Sequence, residues 1–269
     1  MAFNLQLYRQ TWQRLNNSQI VTQQPDIATS IPLHIFDSIS STNTKLWEFI
    51  DSGIETPVGA IALKQTAGKG QWGKSWVSSD GGLYLSVGLD LDLAINKHSH
   101  IVMATAWGIA IVLRHYQLPV TIKWSNDLIL EQRKLGGIKI ETRNSQHQIT
   151  QAVVGVGINW CNPVPAIGIN LQSYYQDKSQ KNITSLEELA AITTYGILLG
   201  YRYYLSVGIE QLLIDYLAIL SSLGQQVMFN NCPGKVTGVT IEGKLKVRLR
   251  SPGATTEIAL APGQISLGY

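Results

Sequence analysis

With 269 residues, 45% of them hydrophobic, the chain is long enough for one large core plus a small second domain, and a disordered or fibrous chain is excluded. The formal charge of +3, from 21 Lys+Arg against 18 Asp+Glu, comes without a dense basic tract, which argues against general affinity for nucleic acid. Cys161 and Cys232 stand far apart with no CxxC or His-rich spacing, so no metal site or disulfide framework is predicted and reduced thiols in cytoplasm fit best. The N-terminus lacks a signal pattern and no apolar run approaches the roughly 18 residues of a membrane span, so a soluble intracellular protein is expected.

Residues 1–30 carry only Arg9, Arg14 and Asp26 as charges, and Leu5, Tyr8, Trp12 and Leu15 fit one face of a short helix. A loosely attached arm is expected there, too short for a helix-turn-helix module of three packed helices. Ile31–Phe36 reads as the first strand. Ser40-Ser41-Thr42-Asn43 then supplies caps for a helix that carries Leu46, Trp47, Phe49 and Ile50 and stops at Gly53. Ser41, Thr42 and Asn43 either only cap that helix or, where its N-terminus faces a pocket, bond the polar head of a ligand.

Val58–Lys64 is the next strand and feeds the stretch from Lys64 to Ser86. Gly68, Gly70 and Gly73 fall there at GxGxxG spacing, with Lys69 and Lys74 between and beside them. Glycines of this kind let backbone N–H groups approach an anion. The same spacing marks a dinucleotide site only where a helix opens at the glycines. Here Trp76, Val77, Ser78 and Ser79 lead through Gly81-Gly82 into the strand Leu83–Leu89. The stretch therefore reads as a lid over a phosphate-bearing ligand, with a mobile hairpin connection as the plain alternative.

From Lys97 the apolar positions follow helical spacing up to Pro119. In VTIKWSND at 120–127, Lys123 and Trp124 end a short strand, and Asn126-Asp127 forms either an Asx-type turn or an oxygen pair suited to a Mg²⁺ shared with phosphates. Gly136-Gly137 interrupts an alternating strand, which points to close approach by a ligand, with Lys134 beside the gap to meet a phosphate or carboxylate. Gln151–Trp160 reads as a buried strand whose Gly155 and Gly157 leave room beneath a flat ligand and which Asn159 closes. Two helices are predicted at Ser185–Leu205 and Ile209–Leu220. Beyond Gly224 come short strands at Val227–Phe229, Lys235–Ile241, Leu245–Leu249, Glu257–Leu260 and Gln264–Leu267, separated by Pro-Gly and Glu-Gly turns. The expected fold class is α+β: a catalytic domain over 31–223 with a central mixed β-sheet and flanking helices, and a small C-terminal β-barrel over 224–269, preceded by the arm at 1–30.

The ordered set SSTN at 40–43, QTAGKGQWGKSW at 65–76, GGLYLS at 81–86, KWSND at 123–127, KLGGIKIE at 134–141 and VVGVGIN at 153–159 resembles the biotin–protein ligases. The C-terminal GKVTGVTIEGKLKVR and PGQISL resemble the small barrel of the same family, so the likeness covers roughly residues 31–269. The resemblance implies a class II aminoacyl-tRNA synthetase-like catalytic domain that binds biotin and ATP with Mg²⁺, forms biotinyl-adenylate and pyrophosphate, and passes biotin to one lysine of a biotin carboxyl carrier domain such as that of acetyl-CoA carboxylase. It implies no nucleic-acid or membrane partner and leaves monomer and homodimer open.

By resemblance, Ser41, Thr42, Gln65, Gly68, Lys69 and Gln71 line the biotin end, with Asn43, Gly70 and Lys74 beside them. Lys134 meets the biotin carboxylate and the phosphate, and Gly136, Gly137, Gly157 and Asn159 shape the floor. Trp76, Lys123 and Asn126 serve the adenylate, and Asp127 orients or deprotonates the carrier lysine. The family usually has arginine where this chain has Lys69, Gln71 and Lys74, and proline at Ser125. Lysine keeps the charge without the bidentate fork and glutamine loses the charge, so weaker adenylate retention is expected. A lipoate–protein ligase and a non-enzymatic biotin sensor are the competing readings.

Overall fold

The computed structural model describes residues 3–27, 30–251 and 253–268. Strand β1 (Leu33–Ile39) leads into helix α2 (Thr42–Asp51), which follows the N-terminal helix α1 (Leu5–Asn16) in the chain. Then come β2 (Val58–Gln65), β3 (Gly82–Ala94), α3 (His98–His115), β4 (Thr121–Lys123), β5 (Asp127–Leu130), β6 (Arg133–Ser145) and β7 (Gln148–Asn159). These strands form one seven-stranded sheet in the order β1-β2-β3-β7-β6-β5-β4, parallel at β1–β2 and antiparallel in the other pairs. The mixed sheet with flanking helices expected from the sequence is present.

Alternation along the central strands sets what each face holds. On one face Ile61, Leu83, Leu85, Val154, Val156 and Ile158 pack into the main core with α3 and α5 (Leu186–Ala218). On the other, Val58, Ala60 and Val153 pack with Leu46 of α2. Both faces being covered explains why β3 is buried from Gly82 to Leu89. Helices α3 and α5 approach through glycine: a Cβ on Gly108 would fall 2.2 Å from the Gly196 carbonyl oxygen, so no larger residue fits at that crossing. Helix α5 is interrupted at Gly208, whose φ of 80° is a left-handed conformation, where the sequence places the gap between two helices.

The N-terminal segment corrects one expectation. Tyr8, Trp12 and Leu15 of α1 are buried in the main core, with Trp12 edge-on to Tyr195 of α5 at 5.3 Å between ring centroids, so the segment is packed rather than loosely attached. Arg14 reaches Glu188 at 3.0 Å, and the Asn4 backbone N–H donates to Glu187 at 2.9 Å.

After the short α4 (Leu171–Tyr174) and α5, the chain ends in a four-stranded antiparallel sheet, ordered β11 (Ala254–Leu260), β10 (Leu245–Ser251), β9 (Cys232–Val239), β8 (Gln226–Phe229). The fifth strand expected at Gln264–Leu267 lacks ladder partners; its Leu267 carbonyl instead accepts from Gln225 Nε2 at 2.7 Å. Val236, Val239, Leu245 and Val247 of this sheet join the same core cluster as α3 and α5. Two hydrogen bonds add to the seam: Trp124 Nε1 donates to the Gly243 carbonyl at 3.0 Å, and His100 lies 3.0 Å from the Ile241 carbonyl.

Candidate active site

On the α2 face the sheet register stacks the functional positions in rungs. One rung runs Ala62, Tyr84, Gly157, Gly137, Asp127 from β2 to β5, and the next runs Ala60, Ser86, Gly155, Lys139. Above them lies a cavity of about 210 Å³, walled on one side by the start of α2 and on another by the glycine-paced connection between β2 and β3. That connection folds as a tight loop. Lys69 and Ser75 pair as an isolated bridge, Gly70 N–H donates to the Lys74 carbonyl at 2.7 Å, and Trp76 N–H donates to the Gly68 carbonyl at 2.9 Å. A single 3₁₀ turn, Gln71–Gly73, interrupts it, and the chain then enters β3; no α-helix opens at the glycines.

Most sequence-predicted residues meet at this cavity. Ser41, Thr42 and Asn43 line it from α2, Gln65, Lys69, Gly70, Gln71, Lys74 and Trp76 from the loop side, and Asn126, Asp127, Lys134, Gly137 and Gly157 from the sheet. Four lie outside its wall. Gly68 packs beneath the loop, where a Cβ would fall 2.4 Å from the Trp76 carbonyl oxygen. Gly136 is turned away by strand alternation, toward the Gly157 carbonyl and Ile158. Lys123 points to the C-terminal segment and bonds the Gly268 carbonyl. Asn159 supports from behind, its Nδ2 donating to the Lys134 carbonyl at 3.3 Å. The wall further includes Trp72 and Gly155, and also Ser75, Lys139, Ile138 and Val156, which motif reading did not single out.

The glycines do leave room, and the protein's own side chains fill part of it. A Cβ on Gly157 would lie 2.5 Å from Trp76 Nε1, and one on Gly137 3.2 Å from Trp76 Cζ3, so the indole rests on that rung. Lys134 Nζ sits 5.4 Å from the Trp76 ring and 2.7 Å from Asp127 Oδ1. Asp127 and Lys134 are thus an ion pair with an aromatic face against the ammonium. Gln65 is fixed at both ends: Oε1 accepts from Thr42 N–H at 2.8 Å, and Nε2 donates to Ser78 Oγ at 2.8 Å. Lys69 Nζ donates to Thr44 Oγ1 at 3.0 Å, which ties the loop to α2.

The electrostatics around the site follow burial. Desolvation holds the Lys123 ammonium below its ordinary value, opposed by Asp127 and reinforced by Lys134. Burial pushes the Tyr84 phenol up to about 12 although its hydroxyl donates to the Ser79 carbonyl at 2.6 Å. Burial also raises Tyr216, whose hydroxyl donates to the Ser125 carbonyl at 3.0 Å and so props the Ser125-Asn126-Asp127 turn. Asn126 Nδ2 donates to the Ile138 carbonyl at 2.7 Å, locking that turn onto β6.

A polar cavity with a lysine–aspartate pair, a glycine floor and a cationic loop suits an anionic, flat ligand, and comparison with known proteins gives the lineage. The model of the Biotin/lipoate A/B protein ligase family matches residues 35–159, from β1 to the end of β7. Those residues are a domain of that family. The Bifunctional ligase/repressor BirA of Bacillus spizizenii is 26% identical over 226 residues, covering 78% of this chain and 67% of that protein. The protein of the same name from Escherichia coli is 34% identical over 149 residues, covering 55% of this chain and 45% of its own length. Among solved structures, the biotin protein ligase from Aquifex aeolicus in complex with biotin and ATP superposes with a TM-score of 0.68 at 21% identity, covering 87% of this chain and 97% of that one. The ligase-family domain here contains every motif of the catalytic sheet, and the likeness of fold to the solved ligase covers 87% of the chain, more than that domain alone.

Proposed function

We infer that this protein activates biotin with ATP to biotinyl-5'-AMP and transfers the biotin to a lysine of a biotin carboxyl carrier domain. The observation that carries the reading is the Lys134–Asp127 pair set over the Gly137–Gly157 rung inside a biotin/lipoate ligase-family domain. Attack of a carboxylate on an α-phosphate requires charge neutralisation and alignment more than a covalent protein group. Lys134 supplies a cation to the reacting carboxylate and phosphate, and Lys69 and Lys74 approach from the loop. Asp127 keeps the Lys134 ammonium oriented between turnovers.

Mg²⁺ is brought by the nucleotide in this account. Asp127 and Asn126 give one carboxylate and one amide oxygen beside the phosphate position, a donor set that suits Mg²⁺ held mainly by phosphates and water. In the second step the incoming amine must lose a proton, which from a reference pKa near 10.4 costs about 4–5 kcal/mol at neutral pH. Asp127 is the carboxylate placed to orient it. The division of labour we assign is a ligand site within 31–223 and a carrier- or ATP-side surface from 224–269.

A cavity of about 210 Å³ lies below the roughly 300–1,000 Å³ of ordinary ligand pockets. Binding of nucleotide therefore requires Trp76 or the loop over 67–75 to shift. The test is biotin-dependent release of pyrophosphate from ATP, run in parallel with lipoate. Release with biotin alone supports the reading; release with lipoate alone reassigns the site to lipoate, and release with neither rejects adenylation.

A further inference from the structure

We propose that Trp124 is a positioning residue for the ligase reaction: its indole N–H, held by the Gly243 carbonyl of the C-terminal sheet, fixes the three-residue connection that aims Asp127 at Lys134. The proposal rests on the biotin-ligase reading above and adds to it a residue that lies outside the cavity wall.

Trp124, Ser125 and Asn126 join β4 to β5, and Lys123 and Asp127 face each other where the ladder closes. A connection this short passes a displacement at Trp124 directly to Asn126 and Asp127. On its other side Asp127 pairs with Gly137, which has no side chain to brace the carboxylate; a Cβ there would lie 3.4 Å from Asp127 Oδ1. The way the connection is held therefore sets how the carboxylate leaves the backbone, and with it the 2.7 Å contact to Lys134 Nζ.

Each residue of the connection is tethered. Trp124 N–H donates to Ser222 Oγ at 3.1 Å, the Ser125 carbonyl accepts from the buried Tyr216 hydroxyl at 3.0 Å, and Asn126 Nδ2 donates to the Ile138 carbonyl at 2.7 Å. Those three partners precede the C-terminal sheet. The fourth belongs to it: Trp124 Nε1 donates to the Gly243 carbonyl at 3.0 Å, in a buried bond. An indole N–H in such a place bears a desolvation cost unless it finds its acceptor, so the orientation of the ring follows the position of that carbonyl.

The acceptor is itself anchored. Between β9 and β10 the chain makes a closed turn, in which Gly243 N–H donates to the Thr240 carbonyl at 2.9 Å and Thr240 N–H to the Lys244 carbonyl at 2.7 Å. Gly243 has a left-handed φ of 78° and lies hard against α3, where a Cβ on it would fall 2.6 Å from Ser99 Cβ. The neighbouring His100 lies 3.0 Å from the Ile241 carbonyl. The turn is thus seated on the first turn of α3 and offers the Gly243 carbonyl to Trp124 from a fixed place. No residue of the turn lines the cavity, so this part of the C-terminal sheet reaches the reacting groups through one indole.

The test is pyrophosphate release from ATP with biotin by the full-length protein, resolved into kcat and KM for biotin. It compares the wild type, Trp124→Phe, Asp127→Asn and the double variant, with thermal midpoints recorded for each. Phenylalanine keeps an aromatic ring in the core and removes the N–H donor. Trp124→Phe should lower kcat about 10-fold and leave KM for biotin within about 2-fold of wild type, as expected when alignment is lost and binding is kept. In the Asp127→Asn background the same change should cost less than about 2-fold, because the carboxylate it positions is gone. Losses that multiply in the double variant, as a mere fall in folded protein would give, overturn the proposal. An unchanged kcat in Trp124→Phe, or a loss confined to KM, overturns it too. Should Trp124→Phe fail to fold, Gly243→Ala, whose Cβ drives the turn off Ser99, takes its place in the cycle with the same expectations. Absence of release by the wild type would reject the ligase reading itself, an outcome separate from these.

Discussion

Lys134 concentrates the chemistry in one ammonium, held by Asp127 and faced by Trp76. Removing a charge aimed at a transferring phosphate typically costs about 3 kcal/mol or more, so Lys134→Ala should lower pyrophosphate release at least about 10²-fold with the thermal midpoint little changed. Near-normal release would take Lys134 out of the mechanism. Gln71 lines the cavity, while its neighbour Trp72 leans on the Gly263 turn and stays 69% exposed, leaving space for a longer side chain at 71. Gln71→Arg is expected to slow escape of preformed adenylate by about 10-fold or more, since a guanidinium grips a phosphate through two parallel bonds. An unchanged off-rate in a chase experiment would show that position 71 does not face the phosphate. At this scale the motifs named most of the wall, and they misplaced residues where a motif crosses both faces of a strand. Gly136 was included with Gly137 although alternation turns it away, and the same period of two, counted from Gly137, leads to Lys139.

The helices illustrate a different limit. The stripe of Leu5, Tyr8, Trp12 and Leu15 was visible in the sequence, but its attachment was not, because the surface it covers lies in α5, more than 170 residues onward. The signal was in the first half of α5, where residues 189–197 include no charged residue and are buried on every side, so they must be covered by more than one neighbour. Trp12→Ala should therefore destabilise the whole protein by about 3–5 kcal/mol in urea denaturation, the cost of a large buried aromatic, rather than merely release an arm. A loss below about 1 kcal/mol would restore the loose-arm picture. The glycine loop was legible as a turn-rich, cationic connection, whereas the closure of Lys69 on Ser75 depends on pairings that spacing alone does not specify.

Across the molecule, the C-terminal sheet and the catalytic sheet share one core, and His100 stitches them. Its Nδ1 faces the Tyr204 hydroxyl at 3.0 Å and its Nε2 the Ile241 carbonyl at 3.0 Å; the carbonyl only accepts, so Nε2 carries a proton, and in the neutral ring Nδ1 accepts from Tyr204. Burial holds this imidazole below its ordinary value of 6.5; Lys97 acts in the same direction, against the Ile241 carbonyl and Glu242. The unfolded chain therefore takes up the proton first on acidification. The contribution to stability is whole above about pH 6.5 and falls as pH drops toward the folded value. His100→Gln is expected to be less stable than wild type near neutrality and to lose stability less steeply on acidification, measured as urea midpoints across that range. Parallel curves would contradict this role. The shared core also means that truncation after Gly224 should leave an unstable fragment, since Val236, Val239, Leu245 and Val247 would be withdrawn from it.

The ligase reading is decided most directly by the intact mass of a biotin carboxyl carrier domain after incubation with this protein, biotin, ATP and Mg²⁺. The account predicts a single biotin added to the carrier, requiring ATP, absent with lipoate in place of biotin, and strongly reduced with Lys134→Ala. A carrier of unchanged mass, alongside a wild-type protein shown to bind biotin, would contradict it.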